Sequence, residues 1–166
     1  MNEPPEDERG IALPASSIYD RLVSQENVPY DLERFVLAQN GANTYAHALQ
    51  ELRRGRKTSH WMWFVFPQIA GLGQSSMART YAIASLEEAR AYLAHPILGK
   101  RLLECLDVLR ALPETNAQTI FGGIDAIKLR SSLTLFLRAA PDQAIFQELL
   151  ERYFGGVLDP ATDERL

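Results

Sequence analysis

Hydrophobic residues recur three or four positions apart through most of the chain after residue 30, which is the spacing of one helical face. Glycine and proline interrupt this pattern at Asn40-Gly41, Gly55, Pro113, Gly122-Gly123 and Gly155-Gly156 and so mark the ends of segments. Continuous alternation of apolar and polar residues, which indicates strands, is scarce. The pattern predicts a mainly α fold, a compact single-domain helical bundle of about six or seven helices.

Four of these segments have an apolar face that is clear enough to predict which of its residues are buried. Two helices follow Asp31 and Asn43, a third follows Pro96, and a fourth runs from Ala126 to Ala140. Another helix is expected from about Gln143 to Phe154. The predicted buried positions are Leu32, Phe35, Val36, Gln39, Tyr45, Ala48, Leu49, Leu52, Leu98, Leu102, Cys105, Leu106, Leu109, Leu129, Leu133, Phe136, Leu137 and Ala140.

Helix starts are predicted from side chains that can accept a hydrogen bond from the first helical turn. Ser85 and Glu88 have the spacing of a capping box, which starts a helix that runs to about His95. The other expected caps are Asp31, Ser59, Thr115 with Gln118, and Asp125.

Composition divides the chain into three parts. Residues 1–30 contain four prolines and begin with a cluster of acidic residues, which predicts a flexible arm. Within this arm, Ile18, Leu22 and Val23 are spaced to form one helical turn. Residues 31–156 form the predicted helical domain, and residues 157–166 form a polar tail.

The segment from Lys57 to Ser76 is unlike the rest of the chain. Seven consecutive positions, His60 to Phe66, hold both tryptophans, two phenylalanines and one of the three histidines. Ser59 is placed to start a short buried helix here and Pro67 to end it. A short strand is the alternative, because so brief an apolar run has no resolvable period. We interpret this segment as the wall and rim of a binding site.

Three aromatic residues of this segment are candidates for contact with a ligand. Trp61 and Trp63 are two positions apart and cannot share a helical face, so we expect one to line the site and the other to pack in the core. His60 has aromatic neighbours and is expected to be shielded, and a neutral imidazole can act as a general base. The alternative for His60 is a core histidine whose ring bonds a backbone carbonyl.

A basic cluster precedes the aromatic segment. Arg53, Arg54, Arg56 and Lys57 surround Gly55, where a helix is expected to end. Cations commonly complement the negative end of a helix dipole. The alternative is an anion subsite that leads into the aromatic segment, which makes Lys57 a candidate ligand-binding residue.

A glycine- and serine-rich turn follows the aromatic segment. Such a turn can offer backbone N–H groups and hydroxyls to a phosphate. It lacks the lysine and the spacing of a P-loop, which argues against nucleotide hydrolysis of the Walker type. Its candidate ligand-binding residues are Gln68, Gly71, Gly73, Ser75 and Ser76.

The predicted helix from Ala126 to Ala140 carries a polar strip beside its apolar face. At about 100° per residue, Asp125, Lys128 and Ser132 lie in one strip, with Ser131 beside it. This arrangement is expected of a helix that lines a cleft, and it makes Lys128, Ser131 and Ser132 candidate ligand-binding residues. Asp125 joins His60 as a candidate catalytic residue, and a helix cap with a solvated edge is the alternative.

Charge and cysteine content narrow the function classes. The net charge is −4, and Met1–Gly10 holds four acidic residues and one arginine, which leaves the remainder at −1. The basic excess of a nucleic-acid-binding protein is absent, so a nucleic-acid partner is not indicated by charge. Cys105 lies in a leucine stripe and cannot form an internal disulfide, which fits a reducing compartment.

Other classes are excluded by missing patterns. The longest apolar run, Trp61–Pro67, is far shorter than the roughly 20 residues of a membrane helix, and the N-terminus lacks a secretory signal. We therefore expect a cytoplasmic protein with no membrane partner. The histidines, Cys105 and the acids show no ligand spacing, so we expect neither a metal site nor a cofactor. The sequence predicts no particular oligomeric state.

One family shares these motifs. The shared residues are Phe35, Ala38-Gln39, Ala48-Leu49, Glu51-Leu52, Gly55, Lys57, the run HWMWFVFPQ, GLG-x-S, Tyr81, Glu88-Ala89, Tyr92-Leu93, His95-Pro96, FG-x-x-D-x-x-K at Phe121–Lys128, and Ser131 to Phe136. They resemble the eighteen-ten domain-of-unknown-function family, whose members are sometimes labelled calpastatin. The resemblance spans about Asp31–Phe154 and implies a compact, mainly helical domain, with no activity assigned.

A fainter likeness in layout is to the NADAR proteins, helical hydrolases that release ADP-ribose from N-glycosidic linkages. It rests on the order Phe-x-x-Ala-Gln, a lysine/glycine bend and a late Phe146-Gln-Glu-Leu-Leu. The opening aromatic-asparagine pattern and the catalytic glutamate of those proteins are missing here.

Together, these features predict a small-molecule site for a nucleotide or ADP-ribose-like ligand. Hydrolysis of an N-glycosidic linkage is the reaction expected of it if the protein is an enzyme, with Asp125 or His60 positioning water or protonating the leaving group. Two alternatives remain open. The same residues could bind a nucleotide or a nucleic-acid end without catalysis, or the aromatic segment could form a protein-interaction surface.

Overall fold

Helices begin and end near the predicted breaks in the computed structural model, which describes residues 30–166. The α-helices are α1 (Glu33–Asn40), α2 (Thr44–Arg53), α3 (Met62–Val65), α4 (Ser76–Thr80), α5 (Leu86–Ala94), α6 (Leu98–Ala111), α7 (Ala117–Phe121), α8 (Gly123–Ala139), α9 (Ala144–Phe154) and α10 (Pro160–Asp163), with a 3-10 turn at Gly41–Asn43. Six of these described helices have eight or more residues. The predicted turn at Ile18, Leu22 and Val23 lies outside the described residues.

The prediction of a mainly α fold is confirmed. Between residues 30 and 166, extended pairing is limited to one parallel bridge between Ile69 and Ile83. Around it, the backbone N–H of Ala70 donates to the Ile83 carbonyl and that of Ile83 to the Gln68 carbonyl, both at 2.8 Å. This bridge fixes the segment after α3 against the segment before α5.

Helix α8 is the centre of the described domain. It packs against α5, α7, α9 and α10, while α6 packs against α2, α5 and α9. A series of aromatic rings crosses these layers from Phe35 through Tyr92 and Phe136 to Phe146, with ring centroids 5.1, 5.5 and 5.9 Å apart. Contacts of this kind add to the free energy gained by burying the rings themselves.

Burial on α8 extends further around the helix than its apolar face predicts. Leu129, Leu133 and Phe136 are buried as expected, but so are hydroxyl residues such as Thr134 on other sides. Leu137, predicted to be buried, is only half-buried, as is Ala140 after the end of the helix. A helix with neighbours on several sides is buried around most of its circumference, so one apolar stripe underestimates its contacts.

The predicted apolar face of α6 is confirmed. Leu98, Leu102, Leu106 and Leu109 are buried together with Cys105. Burial raises the pKa of the Cys105 thiol to about 12, so the thiol is an inert part of the core.

Gln39 shows how a polar residue on an apolar face is accommodated. Its side chain is buried, and its amide donates to the Phe64 carbonyl at 2.8 Å and to the Tyr92 hydroxyl at 3.2 Å. These bonds satisfy buried polar atoms of three elements at once. They position α3, and with it the aromatic segment, against α1 and α5.

Two of the predicted helix starts differ from the structure by one residue. Helix α1 has Leu32 rather than Asp31 at its N-cap position. At α7, the side chain of Asn116, not Thr115, accepts the cap bond from the backbone of Gln118. The capping box is confirmed in that Ser85 accepts from the Glu88 backbone N–H.

The other two predicted caps form different contacts. Ser59 does not cap α3, which begins at Met62, because its hydroxyl donates to Glu51. Helix α8 begins at Gly123, so Asp125 lies within its first turn rather than before it. The Asp125 carboxylate is thereby available for contacts outside its own helix.

The C-terminal segment forms an element that the sequence pattern did not predict. Residues 160–163 form α10, which packs on α8. Asp159 and Thr162 are buried there, and Arg138 of α8 holds Asp163 through two bonds of 2.9 Å. This segment supplies one wall of the site described below.

Candidate functional site

The structure separates the two tryptophans of the aromatic segment. Trp61 has no exposed surface, and its indole N–H donates to Glu51 at 3.0 Å. Trp63 is half-buried and lines the surface next to α8. A ligand can therefore reach Trp63, whereas Trp61 belongs to the core and cannot contact a ligand in this conformation.

Glu51 on α2 organises the loop that leads to Trp61. Its carboxylate accepts bonds from the backbone N–H and hydroxyl groups of both Thr58 and Ser59, and from the Trp61 indole. Burial alone would raise the pKa of Glu51, but these hydrogen bonds outweigh it and lower the pKa to about 2. The charged carboxylate thus fixes the loop from which Lys57 and His60 project.

Two adjoining hollows lie on either side of a ridge formed by Trp63, Ile124 and Lys128, which line both of them. The first hollow has a volume of about 390 Å³ and the second about 480 Å³. The Lys128 ammonium lies 5.0 Å from the centre of the Trp63 ring, within the range of a cation–π contact. We call the two hollows together the Trp63 groove.

The first hollow contains a cluster of three charged groups. The Asp125 carboxylate lies 2.8 Å from the Lys57 ammonium and 3.5 Å from the Lys128 ammonium. Lys57 reaches this position because its backbone N–H donates to the Ile120 carbonyl at the end of α7. Two of the three lysines in the chain therefore converge on one carboxylate of α8.

His60 lies at the rim of the first hollow, and the expectation that its ring is shielded is wrong. Its side chain is exposed, because α3 begins only at Met62 and His60 belongs to the preceding loop. Among residues 30–166 no group forms a hydrogen bond or ion pair with its ring. His60 is thus accessible to a ligand, and the part of the chain that the structure describes supplies no partner that would orient it as a base.

Gln68 lies in the wall of the second hollow and is half-buried there. Its backbone carbonyl is bonded to Ile83, but its side-chain amide has no hydrogen-bond partner within the described part of the chain. The amide can therefore offer both a donor and an acceptor to a molecule in the hollow.

The glycine- and serine-rich turn forms one side of the second hollow, and structural reasons account for its glycines. A Cβ at Gly71, whose φ is +98°, would lie 2.9 Å from the Arg165 Nε. A Cβ at Gly73 would lie 2.5 Å from the Ala78 Cβ. Gly73 lines the second hollow, whereas Gly71 lines a small recess beyond it.

The two serines of this turn differ in position. Ser75 lines the second hollow and caps α4, where its hydroxyl accepts from the Ala78 N–H at 3.1 Å. Ser76 is exposed and lies outside both hollows. Of the two, only Ser75 is placed to meet a ligand in the groove.

The two serines of α8 are both buried. Ser131 borders the second hollow, where its hydroxyl bonds the Asp159 carboxylate at 2.7 Å. Ser132 is 1% exposed and borders neither hollow. The predicted polar strip therefore reaches the groove through Asp125 and Lys128 but not through Ser132.

Asp159 ties the C-terminal segment to the wall of the second hollow. Burial would raise its pKa, but hydrogen bonds from Thr162 and Ser131 and the nearby Arg130 outweigh this effect and lower the pKa. Its backbone N–H also donates to Thr134 at 3.0 Å. Asp159 was not identified from the sequence, because nothing in a polar tail indicates which acid is buried.

The remaining bases of the predicted cluster do not reach the groove. Arg53, Arg54 and Arg56 are exposed, and Arg53 pairs loosely with Glu104 at 4.0 Å. Two isoleucines of α8 lie there instead: Ile124 and Ile127 are 75% and 60% exposed. Their exposure gives the groove an apolar edge. The helix caps and apolar faces in the sequence do not predict this edge.

No helix of the described chain is long and apolar enough to cross a membrane. Among residues 30–166, no group of three or more His, Cys, Asp or Glu side chains is arranged to hold a metal ion. The groove is lined by ammonium, carboxylate, amide, hydroxyl and aromatic groups.

Comparison with known proteins identifies relatives without an assigned activity. Residues 29–166 match the family model described as "Protein of unknown function (DUF1810)". The crystal structure of the conserved hypothetical protein Rv1873 from Mycobacterium tuberculosis is 50% identical, with a TM-score of 0.80, and the match covers 84% of this chain and 98% of that one. No curated protein matches the chain. The family predicted from the HWMWFVFPQ motif is thereby confirmed.

Proposed function

We propose that this chain, which belongs to the DUF1810 family of proteins of unknown function, uses the Trp63 groove to bind a small ligand that combines a planar ring with negative charge. Nucleotides and ADP-ribose-like molecules are the ligands of this class that we consider first. Binding without catalysis is the form of the proposal that the geometry supports best.

One observation carries the proposal: an accessible tryptophan, an ammonium group and an amide with no hydrogen-bond partner among residues 30–166 border the same hollow. Trp63 offers an aromatic surface beyond the part that Lys128 covers, and Gln68 can bond the edge of a ring. Lys128 also borders the first hollow and can meet a negative charge there. A mainly apolar groove with a few convergent polar groups is typical of small-molecule sites.

Hydrolysis of an N-glycosidic linkage receives less support. The predicted base, Asp125, lies 2.8 and 3.5 Å from two ammonium groups, so its carboxylate oxygens are engaged in ion pairs and would have to leave them to position a water molecule. His60 has no orienting partner among the described residues. We therefore propose that any turnover of ADP-ribosylated substrates by the purified protein is negligible, and an assay for released ADP-ribose tests this.

Thermal unfolding tests the binding proposal. ADP-ribose at ten times its dissociation constant should raise the melting temperature by roughly 4 °C, because it stabilises only the folded chain. Lys128→Met should remove most of this shift, whereas Lys100→Met, at an exposed position on α6, should leave it unchanged.

The proposal is wrong if neither ADP-ribose nor AMP at millimolar concentration shifts the melting temperature of the wild-type protein. An equal loss of the shift in Lys100→Met and Lys128→Met would mean that binding is nonspecific and does not use the groove.

A further inference from the structure

We infer that Asp125 is a resident counter-ion in the first hollow and that it restricts ligands to those with a doubly charged group, of which a terminal phosphate is the simplest. This inference rests on the proposed function of the Trp63 groove. It assigns to Asp125 a role in specificity in place of the catalytic role predicted from the sequence.

The carboxylate occupies the position that an anionic ligand group would otherwise take. One oxygen, Oδ2, lies 2.8 Å from the Lys57 Nζ, and the other, Oδ1, lies 3.5 Å from the Lys128 Nζ. Lys57 is the more deeply placed of the two, with 7% of its side chain exposed against 24% for Lys128. An incoming anion therefore meets Asp125 and Lys128 first.

Lys57 is held in place by contacts other than the ion pair. Its ammonium donates to the Ser59 carbonyl and lies 5.0 Å from the centre of the Trp61 ring. These contacts should keep the Lys57 ammonium in place when a ligand displaces the Asp125 carboxylate. A preformed cation is what a tight anion subsite requires.

The charge of the first hollow sets the requirement on the ligand. Lys57 and Lys128 together with Asp125 give the first hollow an excess of one positive charge. The other residues that line the hollow carry no charge: Met62, Trp63, Phe121, Gly122, Gly123 and Ile124. No further counter-ion is present among them.

Competition with Asp125 distinguishes a singly from a doubly charged group. A monoanion would replace a carboxylate of equal charge that is tethered beside the lysines and so acts at a high effective concentration. It gains little. A phosphate monoester carries a charge of about −1.5 to −2 at pH 7 and matches both ammonium groups. The subsite therefore prefers a terminal phosphate to a phosphodiester.

The neighbouring hollow suits the remainder of such a ligand. Trp63, Ile124 and Lys128 line both hollows, so a molecule with its phosphate in the first can place a ring beside Trp63 and Gln68 in the second. The ligand class is thus a nucleoside 5′-monophosphate or a molecule with a group of equal charge, such as the diphosphate of ADP-ribose.

Calorimetric titration with AMP, 3′,5′-cyclic AMP and adenosine tests the inference. The wild-type protein should bind AMP at least about tenfold more tightly than cyclic AMP, the size expected for one additional hydrogen bond between charged groups. In Asp125→Asn, cyclic AMP should bind more tightly than to the wild type, and the preference for AMP should fall to about threefold or less. Asp107→Asn, which alters an exposed acid of α6, is the matched control and should change neither affinity.

Each other outcome is decisive. Equal affinity of the wild-type protein for AMP and cyclic AMP overturns the inference without any variant, so it stays testable even if Asp125→Asn does not fold. Weaker binding of both nucleotides by a folded Asp125→Asn would mean that the carboxylate contacts the ligand, which overturns the counter-ion role but leaves the proposed function intact. No binding of any of the three by wild type or variant would overturn both.

Discussion

Trp61 and Trp63 are separated by one residue and yet belong to two different regions of the molecule. The Trp61 side is closed. The Trp61 indole is buried and donates a hydrogen bond to Glu51, which also accepts hydrogen bonds from Thr58 and Ser59 in the loop after α2. The Trp63 side is open. Trp63 borders two hollows, of which Lys128 lines both and Lys57 lines the first. The comparison teaches that the fold uses one half of an aromatic motif for stability and leaves the other half accessible.

The largest effect expected from this comparison is on stability. Trp61→Ala should lower the free energy of unfolding by about 3–5 kcal/mol, because it leaves a large cavity and removes one hydrogen bond to the Glu51 carboxylate. Trp63→Ala should cost about 1 kcal/mol, because its side chain is already half exposed to water. Urea denaturation of the two variants measures the difference, and equal losses would contradict the division into core and groove.

A second prediction concerns pH and the Glu51 carboxylate. Its folded pKa of about 2 lies below its ordinary value of 4.5, so its contribution is fully present above pH 4.5 and is lost as the pH falls toward 2. Wild-type stability should therefore fall by about 2 kcal/mol over this range through Glu51 alone.

Glu51→Gln provides the test of that prediction. The variant should be less stable at pH 7 and should lose less stability between pH 4.5 and 2 than the wild type, as measured by urea denaturation across the range. Glu148→Gln, at an exposed position on α9, is the control. Parallel pH profiles for wild type and Glu51→Gln would show that Glu51 does not hold the loop as described.

The smallest expected effect is at the turn beside the groove. Ser75→Ala should destabilise the protein by about 1 kcal/mol, because it removes the side-chain cap of α4. Ser76→Ala should change stability by less than about 0.5 kcal/mol, because its side chain is exposed and makes no hydrogen bond within residues 30–166. Thermal denaturation of both variants compares them, and a reversed order would contradict the placement of the cap.

The fold could be predicted from the sequence wherever one apolar stripe faces one layer, as in α6, whose five predicted core residues are all buried. It was predicted less well for α8, where hydroxyl residues such as Ser131 and Thr134 are buried because their hydroxyls are bonded within the domain. Period alone cannot identify such positions, since a serine on a solvated face and one in a bonded core look the same in sequence.

The candidate site could be predicted in part for a similar reason. Lys57, Asp125 and Lys128 were each predicted from the sequence to be site residues, and the structure brings them together. Their ion pairs could not be predicted, because Lys57 is far from the other two residues along the chain. His60 was expected to be shielded because its sequence neighbours are aromatic, but its backbone precedes α3 and carries the ring outward. The burial of Asp159 and the exposure of Ile127 in the second hollow could not be predicted, because both depend on tertiary contacts that a local sequence pattern does not show.

The central claim is that a ligand meets Trp63 and not Trp61, and fluorescence titration with AMP of two single-tryptophan proteins tests it most directly. In Trp61→Phe, which retains Trp63, AMP should change the emission, since stacking or a displaced Lys128 alters the surroundings of the remaining indole. In Trp63→Phe, which retains only the buried Trp61, emission should change far less as AMP is added, because Trp61 adjoins the groove only through Lys57, 5.0 Å from its ring. A response that follows Trp61 instead, or no response in either protein while AMP binds by calorimetry, would contradict the account.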